Sequence, residues 1–349
     1  MPLFLDNGQS HAELNAANCV TVGLVNNMPD AAFEATERQF ADLIRQAAPS
    51  RIVLLKLFTI PEVPRGEAIL RASAAKYRDI AALWDTPLDG LIVTGTEPRA
   101  KSLKDEPYWN SLSALVDWAR DHTASTIWSC LAAHGAVLHS DGIARRPLPQ
   151  KQFGVFDCRL ATPHPMTQHF PVPLWVPHSR YNDLPEEALR EAGYKILTRS
   201  ATAGVDAFAR QDGSFFLYFQ GHPEYDADTL FREYRRDVTR FLNGERETYP
   251  GLPQNYFDEV ATALAESFQE RAIADRRGDL ATDFPNEALE AGLRNSWRPA
   301  ALGVYEKWVE FLSARKAERG TAGATIKPRR LRRTWRDWPL PVTRPAEST

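Results

Sequence analysis

The sequence predicts an α/β fold in which a parallel sheet carries helices on both faces. Two patterns lead there: short apolar, β-branched runs recur along the chain, and between them apolar residues repeat at helical spacing. The third observation is quantitative. At 349 residues, 43% hydrophobic and 25% charged, the chain can bury a full core without disulfide or metal staples.

The first strand is expected over Val20 to Val25 (Val-Thr-Val-Gly-Leu-Val), which stops at the turn sequence Asn26-Asn27-Met28-Pro29. A helix follows, because from Phe33 onward apolar residues fall at Phe40, Leu43, Ile44 and Ala47. Arg51 to Phe58 and Leu88 to Val93 supply two more strands. Trp109, Leu112, Leu115, Val116 and Ala119 mark a second amphipathic helix, and Ser125 to Trp128 the strand after it. Phe215 to Phe219 is a strand that runs directly into Gly221-His222-Pro223-Glu224. Sheets of this kind bind ligands beyond the carboxyl ends of their strands, so chemistry is expected at these strand ends. One main domain is read over residues 20–312, after an N-terminal extension (1–19) and before a basic tail (313–349). The run Lys327-Pro-Arg-Arg-Leu-Arg-Arg333 gives that tail the character of a mobile, solvated segment.

A net charge of -3 gives no reason to expect a nucleic-acid partner. Cys19, Cys130 and Cys158 are odd in number and form no CxxC pair, which argues against a disulfide framework or thiolate zinc site and for a reducing compartment. The first residues lack a basic stretch followed by an apolar run, and no window reaches the roughly 18 apolar residues a membrane helix needs. A cytoplasmic protein without a membrane partner is therefore expected.

Within Ser125-Thr-Ile-Trp-Ser-Cys130-Leu-Ala-Ala-His-Gly-Ala, the cysteine falls where a strand turns into a helix. Backbone N–H groups and the helix dipole at such a point favour a thiolate and can hold an oxyanion. From position alone, Cys130 reads equally well as a small buried hydrophobe. His222 and Glu224 add weight to the reactive reading, because an extended stretch puts residues two apart on one side. A carboxylate there fixes the imidazole tautomer and stabilises its protonated form. His-x-Glu on its own more often marks a structural histidine, whereas with Cys130 upstream it completes a Cys-His-Glu triad.

The chain resembles the homoserine O-acyltransferases, the succinyl- and acetyl-transferring family that shares the class I glutamine amidotransferase (flavodoxin-like) fold. The resemblance lies in Asn27-Met28-Pro29, Leu91-Ile-Val-Thr-Gly95, Tyr108-Trp109, Ser125-Thr126 with Cys130, Lys151-Gln-Phe-Gly-Val155, Pro177-His-Ser-Arg-Tyr181 and Gly221-His-Pro-Glu-Tyr-Asp226, in family order. It extends through Thr229-Leu230, Arg236-Asp237, Ser296-Trp297-Arg298 and Trp308, and covers roughly residues 20 to 312. It implies Cys130 as the acyl-accepting nucleophile, His222 as general base, Glu224 as its orienting carboxylate and the backbone of Leu131 as an oxyanion donor. It further implies Lys151 near the acyl group, Ser179 and Arg180 in a substrate-pocket loop, and Arg236 on the amino-acid carboxylate, a task that suits a bidentate guanidinium. The activity implied is acyl transfer from acyl-coenzyme A, as co-substrate, to homoserine in methionine biosynthesis, by a homodimer with no metal or redox cofactor.

Six positions depart from the family pattern. Leu131 and His134 stand where tryptophan and glutamine are usual, and Asp30-Ala31-Ala32 where lysines are common. Arg99 occupies the donor-selecting position, which carries a carboxylate for acetyl transfer and a small residue for succinyl transfer. A guanidinium there would pair with the free carboxylate of a succinyl group, so succinyl transfer is expected; a shifted loop that presents Glu97 instead would favour acetyl. The acceptor could equally be a related hydroxy amino acid, since one methylene separates such substrates by only about 1 to 3 kcal/mol. A glutamine amidotransferase-type hydrolase uses the same triad on the same fold, and a catalytically silent binding module is a third reading, against which the intact triad argues.

Overall fold

The computed structural model describes residues 3–6, 19–168 and 170–322. The first half of the chain alternates strands and helices: β1 (Leu3–Leu5), β2 (Cys19–Val25), α1 (Asp30–Ala47), β3 (Ile52–Thr59), α2 (Glu67–Ser73) and β4 (Arg78–Asp79). After them come β5 (Gly90–Val93), α3 (Trp109–His122), β6 (Ser125–Ser129) and α4 (Leu131–Asp141). A long hairpin follows, β7 (Arg146–Leu160) and β8 (Leu174–Asp183), then α5 (Glu186–Glu191). Short strands β9 (Lys195–Ile196), β10 (Thr198–Ser200) and β11 (Gly204–Val205) lead to β12 (Ala207–Asp212) and β13 (Ser214–Phe219). Four helices end the described chain: α6 (Thr229–Leu242), α7 (Glu259–Ala274), α8 (Asn286–Glu290) and α9 (Arg298–Ala322).

The main sheet runs β1-β3-β2-β5-β6-β13-β12-β9, with β4 beside β3. Every pairing from β1 to β13 is parallel, as the alternating pattern predicts, while β12 and β9 add an antiparallel edge. Alternation along the strands feeds two cores. Val20, Val22, Leu24, Ile92, Ile127 and Leu217 face α1 and α9, and Leu91, Val93, Trp128, Phe216 and Tyr218 face α3 and α4. The helical stripe Leu112, Leu115, Val116, Ala119 is buried as expected. Gly90 lets α9 approach the sheet closely, since a Cβ there would lie 2.5 Å from Leu312 Cδ1.

A second sheet, β11-β10-β7-β8, is antiparallel throughout and has its own apolar cluster with α6 and α7, centred on Phe153, Phe231, Tyr234, Phe268 and Trp297. The ends of the chain differ from the sequence reading in two places. Leu3–Leu5, inside the stretch read as an extension, pairs in parallel with β3. Helix α9 continues past residue 312 to Ala322, and Lys316 donates to Asp89 Oδ2 at 2.9 Å and to the Cys19 carbonyl at 2.6 Å. The run Lys327–Arg333 lies outside the described residues. Among the described residues no helix is long and apolar enough to cross a membrane.

Candidate active site

The strand order reverses beside β2, where β3 lies on one side and β5 and β6 on the other. Past the carboxyl ends of these strands lie Asn27 after β2, Gly95 after β5, Cys130 after β6 and His222 after β13. Cys130 adopts φ 52° and ψ -115°, a left-handed conformation that a cysteine enters only at a cost of about 1 to 3 kcal/mol. The sharp turn is held by the Cys130 N–H, which donates to the Phe219 carbonyl at 2.7 Å and so ties the elbow to the end of β13. It leaves the cysteine half-buried, while Cys19 and Cys158 are buried and have their thiol pKa values raised by burial.

His222 Nδ1 bonds Glu224 Oε1 at 2.8 Å, and Ser129 Oγ reaches the same oxygen at 3.5 Å. The His222 main chain is fixed by its N–H donating to the Pro177 carbonyl at 2.9 Å. Burial by itself would lower the imidazole pKa, but the negative charges on Cys130 and Glu224 outweigh it, together with side-chain hydrogen bonds to both, and raise the value to about 10. Cys130, His222 and Glu224 are thus brought together, with the imidazole pushed toward its protonated form. Tyr225 stacks on the imidazole at 4.2 Å between ring centroids. Asn295 Nδ2 and Trp297 Nε1 both donate to the Tyr225 carbonyl, at 3.1 and 2.8 Å, so the Ser-Trp-Arg sequence anchors the histidine loop. The N–H of Leu131 opens the helix after Cys130, and a Cβ on Gly95 would sit 2.8 Å from that nitrogen. Only glycine at position 95 leaves this donor accessible to an oxyanion.

The second half of the site is a charged cluster. Lys151 Nζ lies 2.6 Å from Glu233 Oε1 and 3.8 Å from Asp237 Oδ2, and 4.0 Å above the Phe153 ring. Ser179 Oγ donates to the same Glu233 oxygen at 2.7 Å, and Arg236 contacts Glu233 at 3.7 Å and Asp237 at 2.9 Å. Burial pushes the Glu233 carboxyl up, but Lys151, Ser179 and Arg236 outweigh it, so the net shift is downward and the group is ionised. Lys151, Ser179 and Arg236 therefore converge on Glu233, a residue the sequence reading missed; it lies three positions before Arg236, one helical turn away, and that spacing was the available signal. The hydroxyl of Tyr225 is within electrostatic reach of Glu233 and Arg236 as well as Glu224 and Cys130, so this cluster adjoins the triad across Tyr225.

Two expected pocket residues lie elsewhere. Arg180 is buried and structural: its guanidinium pairs with Asp183 at 2.9 Å and donates to the carbonyls of Asn182 and Ala203. Burial against a carboxylate in β8 claims its donors before a substrate could. Arg99 is exposed, its side chain has no hydrogen-bond partner among the described residues, and its main-chain N–H donates to Glu106 Oε1 at 2.6 Å. It is not among the residues lining the crevice beside Leu131, which are Asn27, Thr94, Gly95, Thr96, Leu103, Tyr108, Leu112, Leu131 and Ala132. His134, which stands where the resemblance leads one to expect glutamine, is buried and bonds Gln220 Oε1 at 2.9 Å.

The family model described as homoserine O-succinyltransferase matches residues 5–319. A homoserine O-succinyltransferase of Rhodopseudomonas palustris is 48% identical over 299 residues, covering 86% of this chain and 90% of that protein. One from Methylorubrum extorquens is 47% identical, covering 85% and 88%, and one from Thiothrix nivea 39% identical, covering 82% and 81%. Among solved structures, a glutamine amido transferase from Methylobacillus flagellatus aligns with a TM-score of 0.47 at 16% identity over 84% of this chain and 95% of that one.

Proposed function

This chain belongs to the homoserine O-succinyltransferase family of acyltransferases, and from that premise we propose that it moves a succinyl group from succinyl-coenzyme A to the hydroxyl of homoserine through an acyl-enzyme on Cys130. The observation that carries the reading is the triad: a cysteine on a strained elbow facing an imidazole whose far nitrogen is held by a carboxylate at 2.8 Å. In the first step the Cys130 thiolate attacks the thioester carbon, and the oxyanion is received by the Leu131 N–H. Collapse breaks the bond to coenzyme A, whose sulfur leaves with the proton of the His222 imidazolium. The neutral imidazole then takes the proton of the homoserine hydroxyl as that oxygen attacks the acyl-enzyme. Expulsion of the thiolate restores the ion pair with His222. No resident metal or redox group enters these steps.

For the acceptor, the cluster across Tyr225 offers complementary charges. Arg236 suits the amino-acid carboxylate and Glu233 the ammonium, while Lys151 and Ser179 hold Glu233 in place. Intact-mass spectrometry after brief exposure to succinyl-coenzyme A tests the reading. A single succinyl adduct is expected, lost in Cys130→Ser, retained in Cys19→Ser and Cys158→Ser, and discharged by homoserine. An adduct on a Cys158 peptide would remove Cys130 from the role.

A further inference from the structure

We propose that Asp206 is a positioning residue for His222: its carboxylate carries the hydrogen-bond ladder one residue past the end of β13 and so sets the height at which the imidazole meets Cys130. The inference rests on the acyl-transfer reading and on the triad within it, and adds the residue that places the base.

The ladder between β12 and β13 ends at the pair Ala207 and Phe219. One residue further, the Gln220 N–H still finds a backbone acceptor, the Asp206 carbonyl at 2.8 Å. The next N–H, that of Gly221, donates at 3.2 Å to Asp206 Oδ1, a side-chain oxygen. The N–H after it, that of His222, reaches the Pro177 carbonyl of β8 in the second sheet at 2.9 Å. From Gln220 to His222 the chain therefore passes from one sheet to the other, and the Asp206 carboxylate holds the step between them. Without that oxygen the Gly221 N–H would be a buried donor lacking an acceptor.

The carboxylate is itself fixed from two further sides. Thr198 Oγ1 donates to Asp206 Oδ2 at 2.7 Å while accepting the Ala207 N–H at 2.9 Å. His178 Nε2 stands 3.6 Å from Asp206 Oδ1, beyond hydrogen-bond length but close enough for charge to act. Burial, with Arg180 and His222, keeps the His178 ring neutral; its Nδ1 accepts from Arg180 Nε at 3.3 Å, so the ring proton lies on Nε2 and faces the carboxylate. Gly221 permits this approach, since a Cβ there would lie 2.6 Å from Asp206 Oδ1 and 3.1 Å from His178 Cε1. Burial raises the Asp206 pKa to about 6, opposed by the bonds from Thr198 and Gly221 and by Arg180 and His222. A buried carboxylate is a costly group, offset here by the bonds its oxygens accept, and one of those bonds holds the residue before His222.

The test measures single-turnover formation of the Cys130 adduct from succinyl-coenzyme A, steady-state kcat and the KM for homoserine. It uses the full-length native enzyme, Asp206→Ala, Asp206→Asn and Thr198→Val, with thermal unfolding followed alongside. Asp206→Ala should lower adduct formation and kcat about 10- to 100-fold, since a displacement of about 1 Å at a reacting group is enough for a loss of that size. The homoserine KM should stay within about twofold of native, because the Glu233 cluster stands on other elements. Asp206→Asn keeps an amide oxygen for the Gly221 N–H and should restore adduct formation to within about threefold of native. Thr198→Val releases one side of the carboxylate and should cost severalfold in the same step. Three outcomes overturn the assignment and leave the acyl-transfer reading in place: native-like adduct formation in Asp206→Ala, an Asp206→Asn variant as slow as Asp206→Ala, or a homoserine KM that rises in step with the fall in kcat. If Asp206→Ala does not fold, Thr198→Val decides, and adduct formation at the native rate in that variant overturns the assignment. Absence of any adduct on the native protein overturns the acyl-transfer reading and this assignment together.

Discussion

The two halves of the site stand on different supports. The triad grows from the ends of parallel strands, where Cys130 leaves β6 and His222 leaves β13 within one ladder. The charged cluster grows from the antiparallel hairpin and α6, bringing Lys151, Ser179, Glu233 and Arg236 together from distant parts of the chain. The first half is fixed by backbone: a strained elbow, the Cys130 N–H on the Phe219 carbonyl and the His222 N–H on the Pro177 carbonyl. The second is fixed by charge, with a single carboxylate accepting from an ammonium and a hydroxyl. On the proposed mechanism, backbone-fixed geometry serves the bond-making step, which tolerates little misplacement, and charge-fixed geometry serves recognition of a zwitterion.

If that division holds, the largest effects come from the triad and strike the first step. His222→Asn should lower turnover about 10³- to 10⁴-fold, and Glu224→Gln about 10- to 100-fold, because the second change removes only the group that orients the first. Single-turnover acylation measured in both variants checks this, with folding monitored by near-UV circular dichroism. Near-native acylation in His222→Asn would end the triad assignment.

A smaller and differently placed effect is expected from the cluster. Glu233→Gln keeps the shape but removes the charge that Lys151, Ser179 and Arg236 surround. The KM for homoserine should rise about tenfold while the rate of adduct formation stays within about twofold of native. Equal damage to both steps would merge the two halves into one unit.

The same contrast explains what was legible in the sequence. Parallel strands buried on both faces read as continuous apolar runs, and β2, β3, β5, β6 and β13 were found within a residue or two of their ends. Cys130 and the His222–Glu224 pair were legible because each signal is local: a strand-to-helix junction, and two residues on one side of an extended stretch. The hairpin β7–β8 carries mixed polar and apolar residues with a register shift between Pro147 and Gln152, so no clean period marked it. The cluster it supports depends on long-range pairing, and only resemblance pointed to Lys151, Ser179 and Arg236.

The smallest expected effect comes from a histidine that the same neighbourhood pushes the other way. His134 and His222 are both buried, but His222 faces Cys130 and the Glu224 carboxylate, whereas His134 faces the neutral amide of Gln220, with Arg180 and Arg145 nearby and Asp183 opposing them. Burial first, then Arg180, lowers the His134 pKa to about 3. A folded value below the unfolded one of about 6.5 means that the unfolded chain binds an extra proton between them. The stability His134 contributes is therefore fully present above pH 6.5 and is lost as pH falls toward 3, at up to about 1.4 kcal/mol per pH unit for one proton. His134→Gln can keep a hydrogen bond to Gln220 without a titrating group, so urea unfolding at pH 7, 5 and 4 should show a shallower loss of stability than in the native protein, with little change at pH 7. His178, lowered well below its ordinary value by burial, Arg180 and His222, remains in both proteins and sets the common background. Identical pH slopes would mean that His134 is already accessible to protons in the folded state, and that the helix after Cys130 is looser than its burial implies.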